Sequence, residues 1–125
     1  MIADTTFLVH LLREDQAATT GPARTFLARH RREVIRTTII SMAEIAVIFP
    51  SSAAAWAHFK NWKIYALHRG IAEIAADVDR DLMRTGGRLG ENDNWTAGFC
   101  GYYREPVISL DVAFDRVAGL RRFGY

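Results

Sequence analysis

Between Pro106 and Asp111 the chain runs Val-Ile-Ser-Leu, an apolar stretch that does not alternate with polar residues. A strand of that character is buried on both faces, the situation of a parallel sheet covered by helices on either side. Three other segments have strand character: Met1 to Ala3, the β-branched Val34 to Thr38, and Trp62 to Leu67. Helical spacing of apolar residues fills the intervals at 7–12, at 23–30 behind Pro22, and at 39–49. It continues at 53 to about 61, 71–83 and 92–103, and a last helix opens at Asp111 with Phe114, Val117 and Leu120 on its inner face. Strands alternating with helices from end to end predict a three-layer α/β/α fold around a short parallel sheet with right-handed crossovers. A chain of 125 residues is expected to form one domain over 1–125, large enough to bury a core without disulfides.

In such a sheet every strand's carboxyl end lies on one edge, where ligands bind. Asp4 follows the first strand and Asp111 the last, so both belong to that edge. Asp4 is equally read as a cap for the helix behind it. In the helix over 39–49 the apolar stripe includes Ile40, Ala43, Val47 and Ile48, and Glu44 falls four residues from both Ile40 and Ile48. A carboxylate on an apolar stripe needs an arginine, a proton or a cation. Asp93 opens the helix 92–103, whose Ala97, Gly98 and Gly101 allow close packing. Four carboxylates in one crevice repel one another unless a divalent cation neutralises them, and an all-oxygen donor set selects Mg²⁺ or Mn²⁺. With no lysine, His or Cys nucleophile among them, such a site suits metal-activated water attacking a phosphodiester.

Other signals are plainer. The net charge is +2, but of 16 basic side chains only Lys60 and Lys63 are lysines, and guanidinium is the better fork for phosphate. The cluster Arg29 to Arg32 is read either as a solvated helix end or as a phosphate contact. His58 and His68 are isolated, and Asp77, Asp79 and Asp81 lack the glycine and glutamate of a calcium loop. Cys100 lies within a helical pattern and reads as a small buried hydrophobe of a reducing compartment. There is no leader pattern, and no apolar run approaches the roughly 18 residues that cross a bilayer, so a cytoplasmic protein with no membrane partner is expected.

Taken together, MIADTTFLVHLL, ISMAEIAVI, ENDNWTAGFCGYY and VISLDVAFDRVAGL resemble the PIN domain, in particular the short VapC-type ribonuclease toxins of prokaryotic toxin–antitoxin modules. The resemblance covers essentially the whole chain. It places the family's four acids on Asp4, Glu44, Asp93 and Asp111, its hydroxyl two before the last acid on Ser109, and the polar residue after the first acid on Thr6. What it implies is a PIN-like fold and a Mg²⁺- or Mn²⁺-dependent endoribonuclease cutting RNA. It also implies a homodimer and a cognate antitoxin whose tail covers the acidic groove. The chain departs from the pattern at Gly98, where alanine is usual, and at Leu110, where a polar residue is common. Asp115 adds a fifth acid, either behind the site or as an exposed charge.

Two other enzyme classes place an acid after the first strand and fail on residues. A haloacid dehalogenase-type phosphatase needs a second Asp where Thr6 stands, and a response-regulator receiver needs paired acids and a late lysine. The reading from a different class is a PIN-like module that binds RNA or protein without cutting.

Overall fold

In the computed structural model, which describes residues 1–125, five parallel strands form one sheet in the order β3-β2-β1-β4-β5. The strands are β1 (Ile2–Ala3), β2 (Arg36–Thr38), β3 (Lys63–Tyr65), β4 (Val107–Ile108) and β5 (Arg122–Phe123). The helices are α1 (Thr5–Gln16), α2 (Pro22–Arg29), α3 (Ile39–Ala46), α4 (Ser52–His58), α5 (Arg69–Thr85) and α6 (Glu91–Tyr103). No helix is long and apolar enough to cross a membrane.

The central strand shows why both faces must be covered. Ile2 pairs with Val107 and Ala3 with Ile108, and successive strand residues point to opposite faces. Ile2 and Val107 join a cluster with Ile71, Leu82, Ala97, Phe99 and Phe114, supplied by α5, α6 and the turn beyond β4. Ala3 and Ile108 join Phe7, Leu8, Phe26, Met42, Ile45 and Phe59, supplied by α1 to α4. A strand two residues long thus contributes to two cores, and the α/β fold with helices on both faces is as the apolar run predicts.

Capping fixes where the helices begin. Thr38 accepts from the Ser41 amide and opens α3 directly at the end of β2. Glu14 reaches from α1 to accept from the amides of Gly21, Ala23 and Arg24, so the start of α2 is already occupied by a carboxylate. Burial would raise the Glu14 carboxyl, but the three amides outweigh it and hold it below its usual range.

Several expectations need correcting. The last helix does not run from Asp111 to Leu120. It is a 3-10 helix at Val112–Arg116, followed by a turn with Gly119 at φ +75° and by β5. The basic residues at the end of the chain hid that strand. Its ladder bonds run from the Val107 amide to Arg121 O and from the Ser109 amide to Phe123 O, both 3.0 Å. The inward stripe of α3 is also different. Ser41, Met42 and Ile45 are buried, Ile40 and Glu44 lie half-buried on its margin, and Ala43, Val47 and Ile48 face outward. The sequence pattern over 53–61 predicts that Trp56 and Phe59 both pack inward; Trp56 of α4 is exposed, whereas Phe59, just beyond its end, is buried.

Candidate active site

Asp4 stands immediately beyond β1 and caps α1, its Oδ1 accepting from the Phe7 amide at 2.7 Å. The capping and edge readings are therefore both correct. Only 4% of it is exposed. Burial pushes its carboxyl up to about 6, with Asp93 adding to the rise, against the Ser109 hydroxyl, the Phe7 amide and His10. Ser109 is buried and its hydroxyl also accepts from the Asp111 amide at 3.0 Å. One side chain thereby ties the ends of β1 and β4 together.

Asp93 lies in the first turn of α6, which runs antiparallel to the strands and so begins at their carboxyl edge. It is half-buried, and its carboxyl is raised by burial first, then by Asp111 and Glu44. No protein donor satisfies it, unlike the other three acids. Glu44 accepts from the Thr5 hydroxyl on Oε2 and from Asn92 Nδ2 at 2.6 Å on Oε1. Asp111 is exposed and caps the 3-10 helix through the Ala113 amide at 2.8 Å. Asp93 is thus the acid at which the fields of the other three meet.

No protein-family model and no curated protein matches the sequence. Solved structures do match. VapBC2 from Rickettsia felis bound to a promoter DNA fragment superposes with TM-score 0.81 at 13% identity, covering 99% of this chain and 97% of that one. DNA-bound VapBC from Salmonella typhimurium gives 0.79 at 16% identity, over 98% and 96% of the two chains. FitAcB from Neisseria gonorrhoeae gives 0.78 at 15%, over 98% and 95%. The fold is that of the VapC-type PIN-domain toxins.

On this PIN fold the four acids share one edge, yet no three of them stand together as a ready-made metal ligand set. The donor chemistry nevertheless fits a hard divalent cation. All four are carboxylates, two are raised by burial and mutual repulsion, and one lacks any donor of its own.

The supporting residues divide. Ser109 touches the acids as described, but Thr6 is exposed and it is Thr5 that holds Glu44. Asp115 is exposed and forms a two-pronged ion pair with Arg122, each contact 2.8 Å, which holds its carboxyl low. Thr5 and Asn92 were not singled out by the sequence. Nothing in the pair Thr5-Thr6 says which faces α3, since that depends on the helix phase set by the Asp4 cap. Asn92 beside Asp93 was the one available hint.

Proposed function

We propose that the chain is a divalent-metal-dependent endoribonuclease, the toxin of a toxin–antitoxin pair. The observation carrying this reading is the convergence of Asp4, Glu44 and Asp111 upon the undonated carboxylate of Asp93. A structural module has no use for such a grouping, because each acid raises the free energy of its neighbours' charged forms. In this reading Asp4, Glu44, Asp93 and Asp111 hold Mg²⁺ or Mn²⁺. When bound, the ion lowers the pKa of water and stabilises charge on the phosphate under attack. Ser109 keeps Asp4 and Asp111 in register, and Thr5 and Asn92 fix both oxygens of Glu44. Arg29, Arg31 and Arg32, exposed and without acidic partners, supply cations for the RNA backbone that the acids would otherwise repel.

The partner belongs to the same proposal. The structurally similar proteins include a toxin-antitoxin complex from Klebsiella pneumoniae as well as the VapBC assemblies, which supports a cognate antitoxin here. A second copy of the chain is also proposed, supported by Val47 and Ile48, which are 83% and 58% exposed at the end of α3.

The test is RNA cleavage by the purified protein with Mg²⁺ or Mn²⁺, against EDTA and against Asp93→Asn. Cleavage that vanishes in both controls is expected. Neither cleavage nor calorimetric metal binding would instead favour a noncatalytic PIN-like module.

A further inference from the structure

Beside the acidic edge, between α2 and the segment that ends the chain, lies a cavity of 760 Å³, within the range of about 300 to 1,000 Å³ usual for small-ligand sites. Its walls include Phe26, Arg29, His30, Leu110, Phe123 and Tyr125. Three features give it a definite chemistry.

The His30 ring stacks on Phe26 with centroids 4.0 Å apart and an interplanar angle of 22°. Its Nδ1 donates to the Phe26 carbonyl oxygen at 2.9 Å, and a carbonyl can only accept, so Nδ1 carries hydrogen. The ring is thus fixed in place, with Nε2 left for a ligand. Beside it, Arg29 is exposed and makes no ion pair, so a guanidinium fork stands free at the rim.

The cavity also lies near the acids. Leu110, 45% exposed, immediately precedes Asp111. Tyr125 packs edge-on against Phe7 in the first turn of α1, at 4.8 Å, and its hydroxyl bonds His10 Nδ1 at 2.9 Å. Of the acids around it, Asp115 is neutralised by Arg122, Glu14 is held by three backbone amides at the start of α2, and Asp4 lies close enough to Tyr125 to act on its hydroxyl. At the end of the cavity formed by Arg29 and His30 an anion therefore meets a cation that no acid already holds.

We propose that this cavity is a subsite for one nucleotide of single-stranded RNA, its base lying against the His30 and aromatic wall and a neighbouring phosphate on Arg29. Flat aromatic walls accept any base by stacking, and a free guanidinium beside them adds the phosphate contact that a purely apolar groove lacks. The assignment rests on the ribonuclease reading of the acids for its purpose, though not for its physical test. It makes His30 Nε2 the group that discriminates between bases at that position, through a hydrogen bond to the base edge.

The probes are the four nucleoside 5′-monophosphates, titrated separately without metal into isotope-labelled protein while backbone amide shifts are followed. Shifts are expected at residues 26–30 and 122–125 with at least one nucleotide. Arg29→Glu should weaken that binding about tenfold or more, and Arg69→Glu, on the exposed side of α5, should leave it unchanged. His30→Gln should change the ranking of the four nucleotides. In cleavage assays Arg29→Glu should raise KM with kcat nearly unchanged. Binding with these losses in a protein that cuts no RNA would uphold the subsite and overturn only the ribonuclease reading. Cleavage with KM, base preference and nucleotide shifts all indifferent to Arg29→Glu and His30→Gln would overturn the subsite. So would shifts caused by an acidic tryptophan-containing peptide and by none of the nucleotides, which would make the cavity a protein-docking site.

Discussion

The hydroxyl of Thr5, at the first turn of α1, donates to Oε2 of Glu44 in the second turn of α3. With Asn92 of α6 on Oε1, three helices from three parts of the chain hold one carboxylate. Such groups orient a ligating side chain without touching the ion, and their removal lowers metal affinity or activity about 10- to 100-fold. Thr5→Val keeps the shape and removes the donor, so it is expected to lower metal-dependent RNA cleavage by about that factor. Thr5→Ser should retain most of it. Equal activity of Thr5→Val and the parent across a Mg²⁺ titration would mean that Glu44 needs no such support.

Asp4 gives the metal-free protein a pH dependence of unusual sign. Its carboxyl is pushed up to about 6 when folded, chiefly by burial, against 3.8 for the unperturbed group. Between those values the folded chain binds the proton more than the unfolded chain does, so stability falls as pH rises through the window. The change is about 3 kcal/mol at most, at 1.4 kcal/mol per pH unit. Asp4→Asn removes the buried charge while keeping an oxygen for the Phe7 amide. In EDTA at pH 7.5 it is expected to be more stable than the parent by about 1 to 3 kcal/mol in urea unfolding, and near pH 3.5 no different. Added Mg²⁺ should then stabilise the parent and not Asp4→Asn. A variant less stable than the parent at pH 7.5 in EDTA would count against burial as the dominant cause.

The contrast between Asp4 and Glu44 marks how far sequence alone reaches. Asp4 was legible because its place depends on local chemistry: an apolar strand, then an acid, then a helix, which puts it both at the cap and at the edge. The sheet followed from the same kind of signal, since Val107-Ile108 reads as a strand covered on both faces. Glu44 was identified, but from a stripe that faces the other way. Met42 and Ile45, not Val47 and Ile48, are buried, because α3 packs against α1 and the sheet on the side set by its Thr38 cap. An apolar residue left outside looks the same in sequence as one turned inside. β5 was missed for a related reason. Arg122 stands in a basic segment with no strand pattern, yet its guanidinium is satisfied by Asp115 and the Ser109 carbonyl, and nothing local announces partners seven and thirteen residues away.

Gly98 shows where the chain departs from its resemblance for a packing reason. A Cβ there would lie 2.7 Å from the Ala75 Cβ and 3.0 Å from the Ile71 carbonyl oxygen, both in α5. One turn along, a Cβ on Gly101 would lie 2.7 Å from Ile74 Cγ2. The absence of side chains at these positions sets how closely α6 lies on α5, and so where α6 begins and where Asn92 and Asp93 sit. Gly98→Ala should gain about 1 kcal/mol of helix propensity but lose about 1 to 3 kcal/mol to overpacking. Net destabilisation in urea is therefore expected, together with reduced cleavage as the first turn of α6 shifts. Adding Ala75→Gly removes the nearest of the three contacts and leaves the Ile71 carbonyl and the Ala75 Cα at 3.2 Å, so the double variant should be more stable than the sum of the single effects by about 1 kcal/mol. If the two changes simply add, the Ala75 methyl is not what excludes alanine from position 98, and the α5 backbone at Ile71 and Ala75 sets the spacing of the helices.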